Sequence, residues 1–433
     1  MIIGIDASRA NKEHKTGTEW YSYLLIQHLK IVIPPNVTVR LYSREPLQGE
    51  LAVLPANWEE RTLSWPFKYL WTLLRLSWEM FFSPPDLLFI PAHGLPLVLP
   101  KRTVATIHDI GFERFPELYR RRALWYHRFV VRRALKRSSA IITISEWTKK
   151  ELASCFKNIK IPIVVIPLAH DERRYHSHIS LSDQQEAQKR YNIKPPYFFF
   201  IGRLEKKKNI GRLIKAFVFF LDRASAPSTF DQNYHTIEYD SFGRIDRNGE
   251  APRLYPPEAD GLHRDWGAKP RTARLGRTGA LGKKSNDEWS FVLVGPRGYG
   301  FAEANTLIKK YKLDDRVKIL NWVPESDIPA LMAGAAALVF PSLYEGFGIP
   351  ILEAMATGTP VITSNQGATA EVADNAALLV NPFDVNAISQ AMQSIAKDDN
   401  LRSQLRQSGF ARVNAFSWSK TAQATWVELR AEL

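Results

Sequence analysis

Short apolar runs alternate with longer amphipathic stretches along the whole chain. IIGI (2–5), VRLY (39–42), LLFI (87–90), VATIH (104–108), AIITIS (140–145) and IVVI (163–166) read as strands buried on both faces. Helix-length segments such as 20–29 and 121–135 lie between them. That alternation predicts parallel, doubly wound sheets in an α/β fold. A second series begins at YFFFIG (197–202) and continues with FVLVG (291–295), VKIL (317–320), ALVF (337–340) and PVIT (360–363). The polar segment 171–196, which carries Pro195-Pro196, separates the two series and marks a domain boundary. Two Rossmann-like domains facing across a cleft follow, 1–173 and 174–415, with any ligand at the carboxyl ends of the strands.

One region breaks the rhythm. From about 224 to 288 no period is sustained, and EYDSFGRIDRNGEAPRLYPPEAD gives way to the basic KPRTARLGRTGALGKK. So long a structureless loop is out of place inside a compact domain, so this stretch is expected to be a largely disordered insertion. Without it about 370 residues remain, which suits two domains.

The chain has 433 residues, a formal net charge of +14 and one cysteine, Cys155. Such a composition excludes a disordered chain, a collagen-like fibre and a disulfide scaffold. A single thiol fits a reducing compartment. MIIGIDASR lacks the basic start and long apolar centre of a signal peptide, and no apolar run reaches the roughly 18 residues of a membrane span. A cytoplasmic protein is the expectation.

The most informative stretch is LVFPSLYEGFGIPILEAMATGTPVITS (338–364). A strand ends at Phe340, a tight loop carries Glu345, Gly346, Phe347 and Gly348, and a helix follows. Pro350 suits its first turn and Gly358 the position past its end. Glycines let backbone approach a ligand, and N–H groups at a helix start attract phosphate. Glu345 and Glu353, from loop and helix, can project towards one cleft and grip vicinal sugar hydroxyls. On composition alone, a surface loop residue and a solvated helix position are the better explanation of the two.

This stretch resembles the signature of retaining nucleotide-sugar glycosyltransferases of family 4, which have the two-domain GT-B architecture. Two Glu residues with seven others between them, in a setting like EGFGxPxLEAMAxGxPVxxS, carry the resemblance. It implies that Glu353 binds the donor ribose, that Glu345 contacts hydroxyls of the transferred sugar, and that the loop 346–348, with Ile349, touches sugar or diphosphate through backbone N–H. FFFIGRLEKKKNIGRLIKAF (198–217) is similar to the family's basic motif after a strand. By that match Gly202 lies at the ligand, Arg203 and Lys208 hold the diphosphate, and Asn209 opens the helix. Lys206 and Lys207 read as a solvated turn. Cations there would neutralise a leaving group without a bound metal.

The first domain contributes Thr16-Gly17-Thr18 before an amphipathic helix, where Gly17 and Thr18 can admit a phosphate or sugar edge. No G-x-G-x-x-G is present, so a nicotinamide site has little support. His108 and Asp109 follow a strand. A lone His there is commonly structural, but the resemblance implies that His108 contacts the transferred sugar, with Asp109 orienting it or approaching the acceptor. NWVPESDIPALMAGA (321–335) resembles the loop that reads the nucleobase, which gives Trp322 and Val323. Asn321 stands where the family has Gly, and Ala370 where Pro is common. Arg297 reads as a rim charge or a simply solvated residue, and Glu371 as structural. FSWSKTAQATWVEL (416–429) resembles the terminal helix, 416–433, that returns to the first domain.

The resemblance thus implies a hexosyltransferase acting from a nucleoside diphosphate sugar on a glycan or lipid-linked acceptor, with no metal or other cofactor. Relatives with similar closing segments often use GDP-mannose. The alternatives are a nucleotide-sugar epimerase on the same fold and a catalytically silent binding protein that keeps it. Nucleic acid is not an expected partner, because zinc-finger spacing and aromatic RNA-binding signatures are missing. RRRALWYHRFVVRRALKRS (120–138) mixes arginine with aromatics, and WPFKYLWTLLRLSWEMFF (65–82) is rich in aromatics, which a buried helix explains at least as well. Contact with an anionic membrane surface and an ordinary solvated face both fit the basic helix.

Overall fold

The structure, a computed structural model, describes residues 1–222 and 288–433 apart from His14, Lys68, Tyr69 and His93. The stretch read as an insertion lies outside the described residues except for Glu288.

The first lobe runs β1 (Ile2–Asp6), α1 (Gly17–Val32), β2 (Thr38–Ser43), β3 (Trp58–Thr62), α2 (Leu76–Phe82), β4 (Leu87–Ile90), β5 (Arg102–Ile107) and the single turn α3 (Gly111–Arg114). It continues through α4 (Arg121–Arg137), β6 (Ala140–Thr143), α5 (Glu146–Cys155) and β7 (Ile163–Val165). The second lobe follows α6 (Leu181–Arg190) with β8 (Tyr197–Ile201), α7 (Ile210–Asp222), β9 (Ser290–Val294), α8 (Phe301–Lys310), β10 (Val317–Leu320) and α9 (Ile328–Ala333). Then come β11 (Ala337–Phe340), α10 (Ile349–Ala356), β12 (Val361–Ser364), α11 (Gly367–Ala373) and β13 (Leu378–Val380). Three helices close the chain: α12 (Val385–Lys397), α13 (Asp399–Val413) and α14 (Trp418–Ala431).

Every strand pairing is parallel. The first sheet has the order β3-β2-β1-β4-β5-β6-β7, and the second β10-β9-β8-β11-β12-β13. The two Rossmann-like sheets expected from the apolar runs are therefore present. Helices cover both faces: Leu87 and Phe89 of β4 enter one core, and their neighbours Leu88 and Ile90 enter a second on the opposite face. Strand β3 escaped the apolar pattern because it is an edge strand whose outer residues, Trp58–Thr62, are mostly charged. β13 escaped it as a three-residue edge strand.

In both sheets the chain order reverses beside the first strand, between β1 and β4 and between β8 and β11. Loops leaving those neighbouring strands diverge, one to each face, and open a crevice at the carboxyl edge. The candidate motifs after β1, β8 and β11 sit on these diverging loops. Helix α14 packs on α1, with Trp418 buried near Tyr21 and His28, and Thr421 Oγ1 donates to the Pro167 carbonyl (2.8 Å).

Candidate active site

The loops after β8 and β11 are built as one piece. Asn209 has a left-handed backbone (φ 65°) immediately before α7. Its buried side-chain amide donates to the carbonyls of Pro341 (3.0 Å) and Pro382 (2.6 Å). Leu343 N–H donates to the Lys207 carbonyl (2.8 Å). On this base the Lys208 ammonium donates to Glu345 Oε1 and lies 5.2 Å from the centre of the Phe340 ring. Both side chains are largely shielded from water, so this pair is stronger than a surface salt bridge. Gly348 (φ +119°) makes the turn into α10, whose first residues bring the positive end of the helix to the same loop.

Lys207 corrects the expectation of a solvated turn. Its side chain is only 17% exposed, whereas that of Lys206 points to solvent. Burial works against the Lys207 charge, but Asp109, Glu345, Tyr119 and Glu205 overcome it and hold its pKa above the ordinary lysine value. The single turn over Lys206–Lys208 decides this, since it sends consecutive lysines in different directions. Arg203 is exposed, and its aliphatic stem lies against Gly298, where a Cβ would come within 2.9 Å of Arg203 Cγ. Arg297 is exposed too, with its guanidinium over Phe301.

From the first lobe, the His108 ring lies edge-on to Tyr21, with centroids 4.7 Å apart, and Nε2 is 3.0 Å from the Pro91 carbonyl. A carbonyl only accepts, so Nε2 carries the proton and Nδ1 keeps its lone pair. Burial lowers the ring's pKa against the effect of that hydrogen bond, which leaves a neutral imidazole at neutral pH. Asp109 Oδ1 accepts from Gly111 N–H (2.9 Å). Gly17 and Thr18 open α1, and a Cβ on Gly17 would meet nothing within 4 Å. That space suits the close approach of a ligand edge.

Two residues of the glycine loop also pack at the junction of the lobes, a role the motif did not announce. The Gly346 carbonyl accepts from Ser145 Oγ (2.8 Å) and Thr148 Oγ1 (3.3 Å) of the first lobe. A Cβ there would fall 2.2 Å from the His108 carbonyl. This glycine therefore serves the close approach of the lobes. Phe347 is buried and packs edge-on against Phe416. Gly348 and Ile349 stand at the start of α10. Glu371 clasps the lobes from the other side: its carboxylate accepts from the N–H groups of Glu146 (2.9 Å) and Trp147 (2.8 Å) at the start of α5.

Glu353 lies in the second turn of α10, among partners different from those of Glu345. Burial pushes its carboxyl up to about 7, against the pull of Arg174 and a hydrogen bond from Tyr175. Arg174 is itself held by Asp171 (2.8 Å) and Glu325 (2.7 Å) and lies 4.2 Å from the centre of the Trp20 ring. Trp20 Nε1 completes the link by donating to Glu325 (3.0 Å). Trp322 and Val323, three and two residues before Glu325, separate: Trp322 is exposed, while Val323 is a core residue. A buried Val323 side chain is compatible with the expected reading of the base by this loop's backbone. Among the described residues no group of three or more His, Cys, Asp or Glu side chains is placed to hold a metal ion.

Residues 17–174 match the family model described as Glycosyltransferase Family 4, and residues 279–412 match that described as Glycosyl transferases group 1. The chain is a family 4 glycosyltransferase. Among its relatives, O-antigen chain mannosyltransferase B of Escherichia coli is 26% identical over 336 residues, covering 77% of this chain and 72% of that protein. O-antigen chain mannosyltransferase RfbU of Salmonella typhimurium is 24% identical over 394 residues, covering 91% of this chain and 82% of the other. Anabaena Alr3699/HepE, solved in complex with UDP-glucose, shares the fold with a TM-score of 0.64 at 18% identity, over 99% of both chains.

Motif reasoning passed over four residues of this glycosyltransferase's crevice: Lys207, Arg174, Tyr175 and Glu325. Their sole signal was position, just after β7, β8 or β10, on loops at the carboxyl edge.

Proposed function

We propose that this glycosyltransferase moves a hexosyl group, with mannose from GDP-mannose preferred, onto an acceptor hydroxyl with retained anomeric configuration. The observation that carries the reading is the shielded Lys208–Glu345 pair at the start of α10, beside the first-lobe loop bearing His108 and Asp109. The mannosyl preference is supported by the names of the O-antigen relatives, and a nucleotide-sugar donor by the neighbour solved with UDP-glucose. The acceptor is a glycan or lipid-linked sugar, met in the cytoplasm at the inner membrane face.

On entry the donor exchanges both halves of the ion pair. Its diphosphate takes Lys208, with Arg203 and the N-terminal end of α10, while a sugar hydroxyl donates to Glu345. A second sugar hydroxyl donates to His108 Nδ1, and the ribose hydroxyls donate to Glu353. Gly17, Thr18 and Gly202 leave room for the phosphates, and Trp322 and the backbone of Val323 meet the base. The bond from the anomeric carbon to the diphosphate oxygen breaks, and its electrons stay on the phosphate. The acceptor oxygen bonds to the same face of that carbon, and its proton passes to the departing phosphate oxygen. Lys208 and the helix end stabilise the charge that grows there, while His108 and Glu345 contribute orientation.

Incubation with a panel of nucleotide sugars, scored by nucleoside diphosphate release and by thermal shift, tests this. GDP-mannose should give the largest stabilisation and the fastest release. No release from any nucleotide sugar would overturn transfer and leave the silent binding protein.

The Glu353 carboxyl predicts how GDP binding depends on pH. Its pKa of about 7 leaves it largely neutral below that pH and ionised above it. An ionised carboxylate accepts two ribose hydroxyls better than a neutral acid does. GDP affinity is therefore expected to rise several-fold between about pH 6 and 8, and titration calorimetry across that range should show a flat profile for Glu353→Gln. An equally steep profile in the variant would remove Glu353 from the ribose site.

A further inference from the structure

We propose that a continuous aromatic and cationic face of the first lobe, formed by α2, the 96–98 loop and α4, docks on an anionic lipid surface.

On α4 the inner positions are Val130, Val131, Ala134 and Leu135. Its outer stripe runs Arg122, Trp125, Phe129, Arg132, Lys136, at the spacing of one helical face. Trp125 is 68% exposed, and its ring stacks on Phe129 with centroids 5.5 Å apart. Seven of the 17 residues of α4 are basic and none is acidic. On α2, Trp78, Phe81 and Phe82 are 64%, 69% and 63% exposed, and the Phe82 ring contacts both of the others.

The two stripes belong to one surface. Arg133 of α4 donates to the carbonyls of Pro96 (2.9 Å) and Leu97 (2.5 Å). Leu97 N–H donates in turn to Ser77 Oγ of α2 (2.6 Å). Leu97 and Val98 are themselves exposed, so apolar surface continues from one helix to the other. Five exposed aromatic rings on one face are more than a water-facing surface of a soluble lobe needs. A protein partner could cover aromatics. The α4 cations cluster among rings, and the single carboxylate of the two helices, Glu79 of α2, is largely shielded and paired with Arg75 (3.4 Å). That pattern instead matches headgroup phosphates above an apolar layer.

The face also adjoins the crevice. His127 of α4 stacks on Phe112, three residues beyond Asp109, with centroids 5.5 Å apart, and Arg128 pairs with Glu113 (2.9 Å). An acceptor held in the lipid layer would reach the lobe beside the loop of His108 and Asp109. Among the described residues no helix is long and apolar enough to cross a membrane, so the contact is peripheral.

Flotation of the full chain with phosphatidylcholine vesicles, with and without about one-third phosphatidylglycerol, tests this directly. The protein should float with anionic vesicles at low salt, detach at high salt, and stay behind with neutral ones. The triple change Arg122→Gln, Arg132→Gln, Lys136→Gln should weaken partitioning about a hundredfold. Phe81→Ser with Trp125→Ser should weaken it about tenfold through loss of buried apolar area. All five residues are solvent-facing, and an unchanged GDP thermal shift would show that the variants remain folded and donor-competent. Absence of flotation, variants that float like the parent, or binding to an oligonucleotide in preference to vesicles would each overturn the proposal. Donor binding and nucleotide release are read separately, so failure here leaves the transferase reading untouched.

Discussion

Lys208→Ala is expected to lower kcat by two to three orders of magnitude, about the effect of removing one donor aimed at developing charge. Lys208 is the ammonium whose partner and shielding the fold specifies most fully. It donates to Glu345, lies over the Phe340 ring, and stands on a loop tied by Asn209 to the segments after β11 and β13. Removing it also leaves the Glu345 carboxylate without its hydrogen-bonded ammonium in a largely shielded position, with Lys207 a remaining nearby cation. Two readings of a dead variant are therefore possible, and a second substitution separates them. If Lys208 only neutralises Glu345, then Lys208→Ala with Glu345→Gln turns over as fast as Glu345→Gln alone. If it carries the leaving diphosphate, the double variant is slower than Glu345→Gln alone by about the factor that Lys208→Ala costs the parent. Steady-state kinetics on all three variants, with circular dichroism to confirm folding, decides. Unchanged turnover in Lys208→Ala would remove this residue from the mechanism.

Gly346→Ala carries the second large effect. One methyl group at this position would lie 2.2 Å from the His108 carbonyl and 3.0 Å from Asp109 Cβ. Neither can retreat easily. His108 is held by its hydrogen bond to Pro91 and by Tyr21, and the Asp109 carboxylate by Gly111 N–H. The lobes must then separate, which strains the hydrogen bonds from Ser145 and Thr148 to the Gly346 carbonyl. Overpacking of this kind costs about 1–3 kcal/mol, measurable by urea denaturation. The kinetic loss should be larger, about a hundredfold in kcat/KM, because displacements of about 1 Å between sugar-holding groups are amplified in rate. Normal kinetics in this variant would mean that the close approach of the lobes is not used in turnover.

What the chain states locally and what it states only when folded divide along the range of the interactions. Alternating apolar runs and helical stretches announce two parallel α/β sheets, because burial on both faces is a property of a strand's own side chains. The Glu345-to-Glu353 spacing and the β11–loop–α10 turn were equally legible, since loop, positive-φ glycine and helix start lie within one dozen residues. The edge strand Trp58–Thr62 was not legible, because one exposed edge lets its sequence be mostly charged. Nor could composition distinguish Lys207 from Lys206, or show that Gly346 lies against the first lobe. Glu371 meets the amides of Glu146 and Trp147 across more than 200 residues, and Glu353 meets Arg174 and Tyr175 across nearly as many. The aromatic stripes of α2 and α4 were each visible as patterns, but their union into one face depends on the loop between Pro96 and Val98. Sequence alone determined the elements and the local chemistry, because propensity, periodicity and turn geometry act between neighbours. Only the tertiary structure decided which charges are buried, which glycine sits between lobes and how basic each carboxyl is, because those depend on groups that packing brings from distant parts of the chain.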